Sequence, residues 1–188
     1  MTRRRVPVAV RYLTITIVLI FAVGVAGHLI AWPVLTSTLG PTVYVFAANP
    51  GTESARFRNA TVGHAVAIVV GLGAVAAFGL WSHGPISPFR GPTLAQAGAA
   101  AIAAGVTLLI LELVGSHHAP SAASALLVAT GLARPGKPLL GLVVGLALVL
   151  VLGPLSGRLP LARQLTAEDR ERRAERRPGH ASALPVVR

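Results

Sequence analysis

The chain has no cysteine among its 188 residues and only 6 acidic residues against 17 lysines and arginines. The first absence excludes disulfides and thiolate chemistry. The second leaves no pair of carboxylates within the apolar part of the chain for general acid–base work. Charged residues of both signs amount to 12% against 53% hydrophobic residues, with a mean hydropathy of +0.68, which excludes an ordinary soluble domain. There is no HExxH pattern and no serine–histidine elbow, so no enzyme and no cofactor is expected. The net charge of +11 would suit nucleic acid. The basic residues, however, cluster outside the apolar stretches, at Arg3 to Arg5, at Arg11 and after Arg158. That distribution is a membrane-topology signal and places both termini in the cytoplasm, with no nucleic-acid partner.

Four apolar stretches, 12–32, 60–80, 94–114 and 138–155, approach or exceed the roughly 20 residues a helix needs to cross a bilayer. Their glycines and alanines would weaken helices in water, but in lipid they let backbones approach closely. The expected fold is all-α: a polytopic membrane helix bundle of four long transmembrane helices plus two short Pro-initiated helices, broken or re-entrant, arranged as two structural repeats. Residues 1–11 read as a basic cytoplasmic N-terminus and 12–155 as the membrane domain, with repeats over about 12–80 and 94–155. Residues 156–188 read as a basic polar tail, partly disordered, with a capping-box-like helix start at Thr166. The first apolar stretch ends at Trp32-Pro33 without a small-x-small cleavage site, so it reads as a retained helix. The expected location is the cell membrane, with the lipid bilayer as partner and a homo-oligomer compatible with the small size.

The repeat rests on two tripeptides, Gly40-Pro41-Thr42 and Ala119-Pro120-Ser121, about 79 residues apart, with Gly63 matching Gly141 at an offset of about 78. Proline lacks an N–H and has a fixed φ, so it suits the first turn of a helix. Each tripeptide therefore reads as a helix start at membrane depth, too short to span. If the short helices dip in and return there are four crossings and parallel repeats; if each completes a crossing there are six and the repeats are inverted. The loop charges conflict: Arg56 and Arg58 favour six, Arg134 and Lys137 four.

A helix start carries unpaired N–H groups and the positive end of the macrodipole, which favours an anion. Gly40 and Ala119 occupy cap-like positions without a capping side chain, leaving the N–H groups of Val43, Tyr44, Ala122 and Ala123 as candidates to hold one. The alternative is capping by Ser37, Thr38, Ser116 or water. Thr42 and Ser121 add hydroxyls. His28, His64, His117 and His118 lie in or beside apolar stretches, where histidines face a bundle interior and exchange protons near neutral pH. His118 is best placed to touch a ligand at the second helix start. The adjacent His117-His118 pair lacks the spacing of a metal site. Glu112 reads as an interfacial acid or a histidine partner, with proton coupling as the rival role.

The stretch Arg58-Asn59-Ala-Thr-Val-Gly63-His64 resembles the Arg-Asn-x-x-x-Gly-His element of the HPP family of integral membrane proteins. Leu39-Gly40-Pro41-Thr42 is similar to that family's Phe-Gly-Ala-Ser segment, and His118-Ala119-Pro120-Ser121 to its His-Pro-Pro signature. The sequence departs from the pattern at Ala119, at Arg56-Phe57 in place of Gln-Pro, and at Val62 in place of glycine. The resemblance implies a small multi-helix membrane protein, some relatives being regarded as nitrite transporters, and marks Arg58, Asn59, Gly63, His64, His118 and Pro120 as signature positions. The expected function is a transporter or channel for a small, nitrite-like anion bound near midmembrane by Gly40, Thr42, Val43, Arg58, Asn59, His64, His118, Ser121 and Ala122. A non-transporting membrane scaffold is the alternative, and it requires the helix starts to be far apart or sealed by side chains.

Overall fold

The computed structural model describes residues 5–87, 89 and 91–156, so the tail with its expected helix start at Thr166 lies outside the described residues. Among the described residues there are six α-helices, one 3-10 turn and no β-strand. They are α1 (Arg5–Ile30), α2 (Leu39–Ala48), the 3-10 turn Glu53–Ala55, α3 (Phe57–Ala77), α4 (Leu94–Leu113), α5 (Ser121–Ala129) and α6 (Lys137–Ser156). Four are long and apolar enough to cross a bilayer: Ala9–Ile30, Phe57–Ala77, Leu94–Leu113 and Lys137–Leu155. The first helix begins earlier than the apolar stretch at 12, because helical backbone continues through Arg11 into the basic flank.

Local chemistry explains where the helices start and stop. α4 opens on a capping box: Gln96 N–H donates to Thr93 Oγ1 (3.1 Å) and Thr93 N–H to Gln96 Oε1 (3.0 Å). α3 and α4 end in the same way, with a left-handed glycine, Gly79 and Gly115, just past the cap. The residue after each closes a bond back to the last turn, Leu80 N–H to the Val75 carbonyl and Ser116 N–H to the Leu111 carbonyl, both 2.8 Å. The second of these turns delivers the chain directly to His117 and His118. Pro41 is the third residue of α2, inside the first turn where no N–H is required, and Pro120 sits at the cap of α5.

Two clusters form the interior. Leu19, Val23, Val43, Phe46, Leu142 and Val149 join α1, α2 and α6. Between α3, α4 and α5 the packing is built from small residues, Ala67, Ala99, Ala103, Ala125 and Ala129, which bring backbones close enough for dispersion to hold helices together in lipid. Large apolar side chains instead point outward, among them Phe21, Leu29, Val69, Leu109 and Leu113. An apolar exterior over a small-residue interior is the arrangement of a multi-pass protein in a lipid bilayer.

The ends of the helices sort into two groups. At one end Tyr12 Oη donates to the Ala48 carbonyl (3.4 Å), and Ser116 Oγ, just past α4, donates to the Asn59 carbonyl (3.2 Å) at the start of α3. At the other, Gly141 in α6 lies against the Pro33 carbonyl just past α1, and Arg134 donates to the Trp81 carbonyl just past α3 (2.9 Å). α3 and α5 run side by side in the same sense, Gly63 beside Ser121 and Gly71 beside Val128. α2 and α6 are also parallel to each other, Gly145 beside Leu39 and Gly153 beside Phe46, and this pair runs in the sense opposite to α3 and α5.

Candidate functional site

The starts of α2 and α5 meet. Thr42 Oγ1 donates its one proton to the Thr38 carbonyl (2.9 Å), so in its 3.2 Å contact with His64 Nε2 it accepts. His64 is then protonated on Nε2, and its Nδ1 accepts from Ser124 Oγ at 2.8 Å. Ser124, its proton committed, accepts from Thr38 Oγ1 at 3.0 Å. The chain of bonds leaves Thr38 through its hydroxyl and returns through its carbonyl. The opposite direction would send the Thr38 proton 3.5 Å to the Pro120 carbonyl and forgo the 2.9 Å bond, so geometry selects the first and assigns the tautomer. Thr38, Thr42, Ser121 and Ser124 are completely buried, His118 is 1% and His64 2% exposed.

His118 stands beside this ring, 5.0 Å from His64 edge-to-face and 6.4 Å from the Phe46 ring. Its Nδ1 lies 2.7 Å from the Ser54 carbonyl of the 3-10 turn, which covers this end of the bundle. A carbonyl can only accept, so Nδ1 carries the proton and a neutral ring presents Nε2 as a bare lone pair. His118 lies outside the spanning helices, between α4 and α5. Burial holds its imidazole below the ordinary range, against the opposing pull of the Ser54 carbonyl. Its Nε2 and the Oγ of Ser121 are both buried without any hydrogen-bond partner. A Cβ on Gly63 would overlap Ser121 Oγ and come within 3.2 Å of His118 Cβ, so only glycine leaves room for both side chains. The hydroxyls of Thr36 and Thr107 and the Nε and Nη2 of Arg11 are likewise buried and unpartnered.

Of the residues the sequence marked, Thr42, His64, His118 and Ser121 converge here. The helix-start N–H groups do not serve as expected. Ala122 N–H donates to the Ala119 carbonyl (3.1 Å) and Ala123 N–H to the Pro120 carbonyl (3.2 Å), because a tight turn precedes α5 and supplies acceptors. Val43 and Tyr44 fall beyond the first turn of α2, which begins at Leu39 rather than at Pro41, so the helix itself provides acceptors. Gly40 is not the cap, which is Thr38, and Thr38 uses its side chain for the ring instead of capping. Val43 is a core residue. Arg58 is exposed, and Asn59 holds the 3-10 turn by donating to the Glu53 carbonyl (3.0 Å). His64 is the eighth residue of α3, about 10 Å along a helix of about 31 Å, so the cluster sits a third of the way in rather than midway.

Ser124, not marked from the sequence, and Thr38, expected only as a possible cap, also join the cluster. Their signal was spacing: Ser121 and Ser124 are three apart and Thr38 and Thr42 four apart, each pair on one helix face. Outside the cluster, Glu112 pairs with His117 Nε2 (3.1 Å), and Glu53 lies 3.7 Å from His117 Nδ1 and 3.3 Å from Arg56. All four are solvent-exposed. A cavity of about 230 Å³ lies at the opposite end of the bundle, lined by Ser82, His83, Pro85, Thr93 and Gln96.

Six helices, four of them long and apolar enough to span a bilayer, enclose a buried histidine–hydroxyl cluster and define a small polytopic membrane protein. The family model for the HPP transmembrane region matches residues 1–164, and the chain belongs to that family. Comparison with curated proteins found no match, and neither did comparison with solved structures.

Proposed function

We propose that the protein is a membrane transporter or channel for a small inorganic anion, nitrite-like in size and charge, with the cluster of His64, His118, Ser121, Ser124, Thr38 and Thr42 as its binding site in an occluded state. One observation carries this reading: His118 Nε2 and Ser121 Oγ are both buried and unpartnered, on two side chains that converge on Gly63. Each such atom costs about 1–3 kcal/mol, a cost that packing alone does not require and that a bound solute would remove. The protein acts without catalysis in this reading. Uptake into proteoliposomes tests it: His118→Ala and Ser121→Ala should each abolish protein-dependent uptake of the transported anion, and variants that leave uptake of every small anion unchanged would reject the site.

The same reading takes the chain through the bilayer six times as two inverted repeats, α1 to α3 and α4 to α6, with both termini cytoplasmic. The pattern of packing supports it. Exchanging the halves turns the α1/α2, α2/α6 and α1/α6 contacts into α4/α5, α5/α3 and α4/α3, all of which occur, and α3/α6 into itself. Arg134 and Lys137 then face the outside despite their charge. Single cysteines at Thr52 and Ser82, which flank the spanning helix α3, should label from opposite sides of the membrane, Thr52 from the side of the N-terminus; labelling of Thr52 from the side opposite the N-terminus would leave four crossings.

The scaffold reading is favoured by a different observation: the helix starts are sealed by their own side chains. It predicts that no substitution in the cluster affects the passage of any solute, and it fails if the uptake experiment succeeds.

A further inference from the structure

Resting on the reading of this cluster as the transport site, we propose that the anion binds only together with one proton, held at His118 Nε2, so that the cargo is the conjugate base of a small acid moved without net charge. The Ser54 carbonyl fixes the His118 proton on Nδ1, and the neutral ring therefore keeps a buried, unpartnered lone pair on Nε2, as the Ser121 Oγ of the same cluster is buried and unpartnered. A lone pair repels an anion. A proton on Nε2 converts it into a charged donor, and with the Ser121 hydroxyl it gives two donors for one anion.

The stoichiometry of one follows from what surrounds the ring. The titratable group facing it from α3 is His64, at 5.0 Å, with both nitrogens engaged by Thr42 and Ser124. A second positive charge at that distance in a buried site is disfavoured. α5 presents serines and α2 presents Thr38, Thr42 and Phe46, none of them ionisable in this range. The charged groups on the outer side, Glu53, Arg56, His117 and Glu112, are exposed and pair among themselves, and Arg58 is exposed at the start of α3. Arg11 is on α1, which packs on α2 and α6. Among the described residues no arginine or lysine is hydrogen-bonded or ion-paired to a member of this cluster, and the proton supplies the countercharge that burial demands. On binding, the proton arrives from solution on one side at Nε2, is shared with the anion and leaves with it on the other side; nothing is oxidised or reduced.

The test uses the full chain in liposomes with nitrite, nitrate and chloride outside, the uptake of protein-free liposomes being subtracted. At zero membrane potential, a pH gradient of one unit, alkaline inside, should bring the protein-dependent inside-to-outside ratio of the transported anion to about tenfold, and a potential of either sign should leave that ratio unchanged. His118→Gln should lose the pH-driven accumulation. A wild-type ratio that follows the potential and ignores the pH gradient would overturn the proton while leaving transport intact, and that measurement needs no variant to fold. Accumulation retained in His118→Gln would remove the proton from this residue. No protein-dependent uptake of any anion would overturn the transport reading itself.

Discussion

Replacing Gly63 with alanine puts the smallest possible perturbation at the point where the site is tightest. The new Cβ overlaps Ser121 Oγ and lies 3.2 Å from His118 Cβ and 3.3 Å from Ser121 Cβ. Overpacking of this kind costs about 1–3 kcal/mol, and the lower half of that range applies because Ser121 Oγ holds no hydrogen bond and can swing aside. The matched control is Gly71→Ala on the same helix, whose Cβ would stand 2.8 Å from Val128 Cβ and 3.1 Å from the Ala125 carbonyl. Thermal unfolding in detergent should report similar losses for the two. Uptake should separate them, because only Gly63→Ala displaces both unpartnered atoms. Strain of about 1.4 kcal/mol falling on the bound state alone lowers affinity about tenfold. If the two variants lose uptake in parallel with stability, or Gly63→Ala transports as well as wild type, the cluster is packing and the assignment of the site is wrong.

Ser124→Ala removes the donor to His64 Nδ1 and the acceptor for Thr38, and should cost about 1–3 kcal/mol in an unfolding experiment; an unchanged midpoint would reject the closed ring. Stability should also depend on pH through His118. Because the fold holds its imidazole below the ordinary 6.5, the unfolded chain takes up the proton more readily. The contribution is therefore complete above that value and is lost as the pH falls through and below it. His118→Gln should flatten this part of the pH profile, and a profile identical in both proteins would refute the buried neutral ring. Glu112→Gln should leave uptake and its pH dependence unaltered, since the carboxylate is exposed and touches only His117; a shift in either would return Glu112 to consideration as a proton carrier.

Much of the architecture was legible because membranes simplify the code. Four apolar stretches predicted four spanning helices, and each appears within a few residues of its expected bounds apart from the early start of α1. Pro41 and Pro120 located the two short helices because a residue without an N–H is tolerated in the first turn. The candidate site was only half legible. His64, His118, Thr42 and Ser121, marked from the sequence, do come together in one buried cluster, since ionisable and hydroxyl groups in apolar surroundings need partners. The expected role of the backbone N–H groups was wrong at Ala122 and Ala123, where a turn of three residues supplies carbonyls that no composition or spacing announces.

The amino-acid sequence by itself determined that this protein is a helical membrane protein whose few polar residues concentrate at two helix starts, because hydropathy, charge position and proline placement act locally along the chain. Which polar atoms satisfy one another was decided only by tertiary structure. Ser124 meets His64 from 60 residues away and Thr38 from 86, and His118 meets Ser54 from 64. A hydrogen bond depends on distances of a few tenths of an ångström between groups that packing, not sequence proximity, brings together. Within the cluster, that packing leaves His118 Nε2 and Ser121 Oγ buried with nothing to hold.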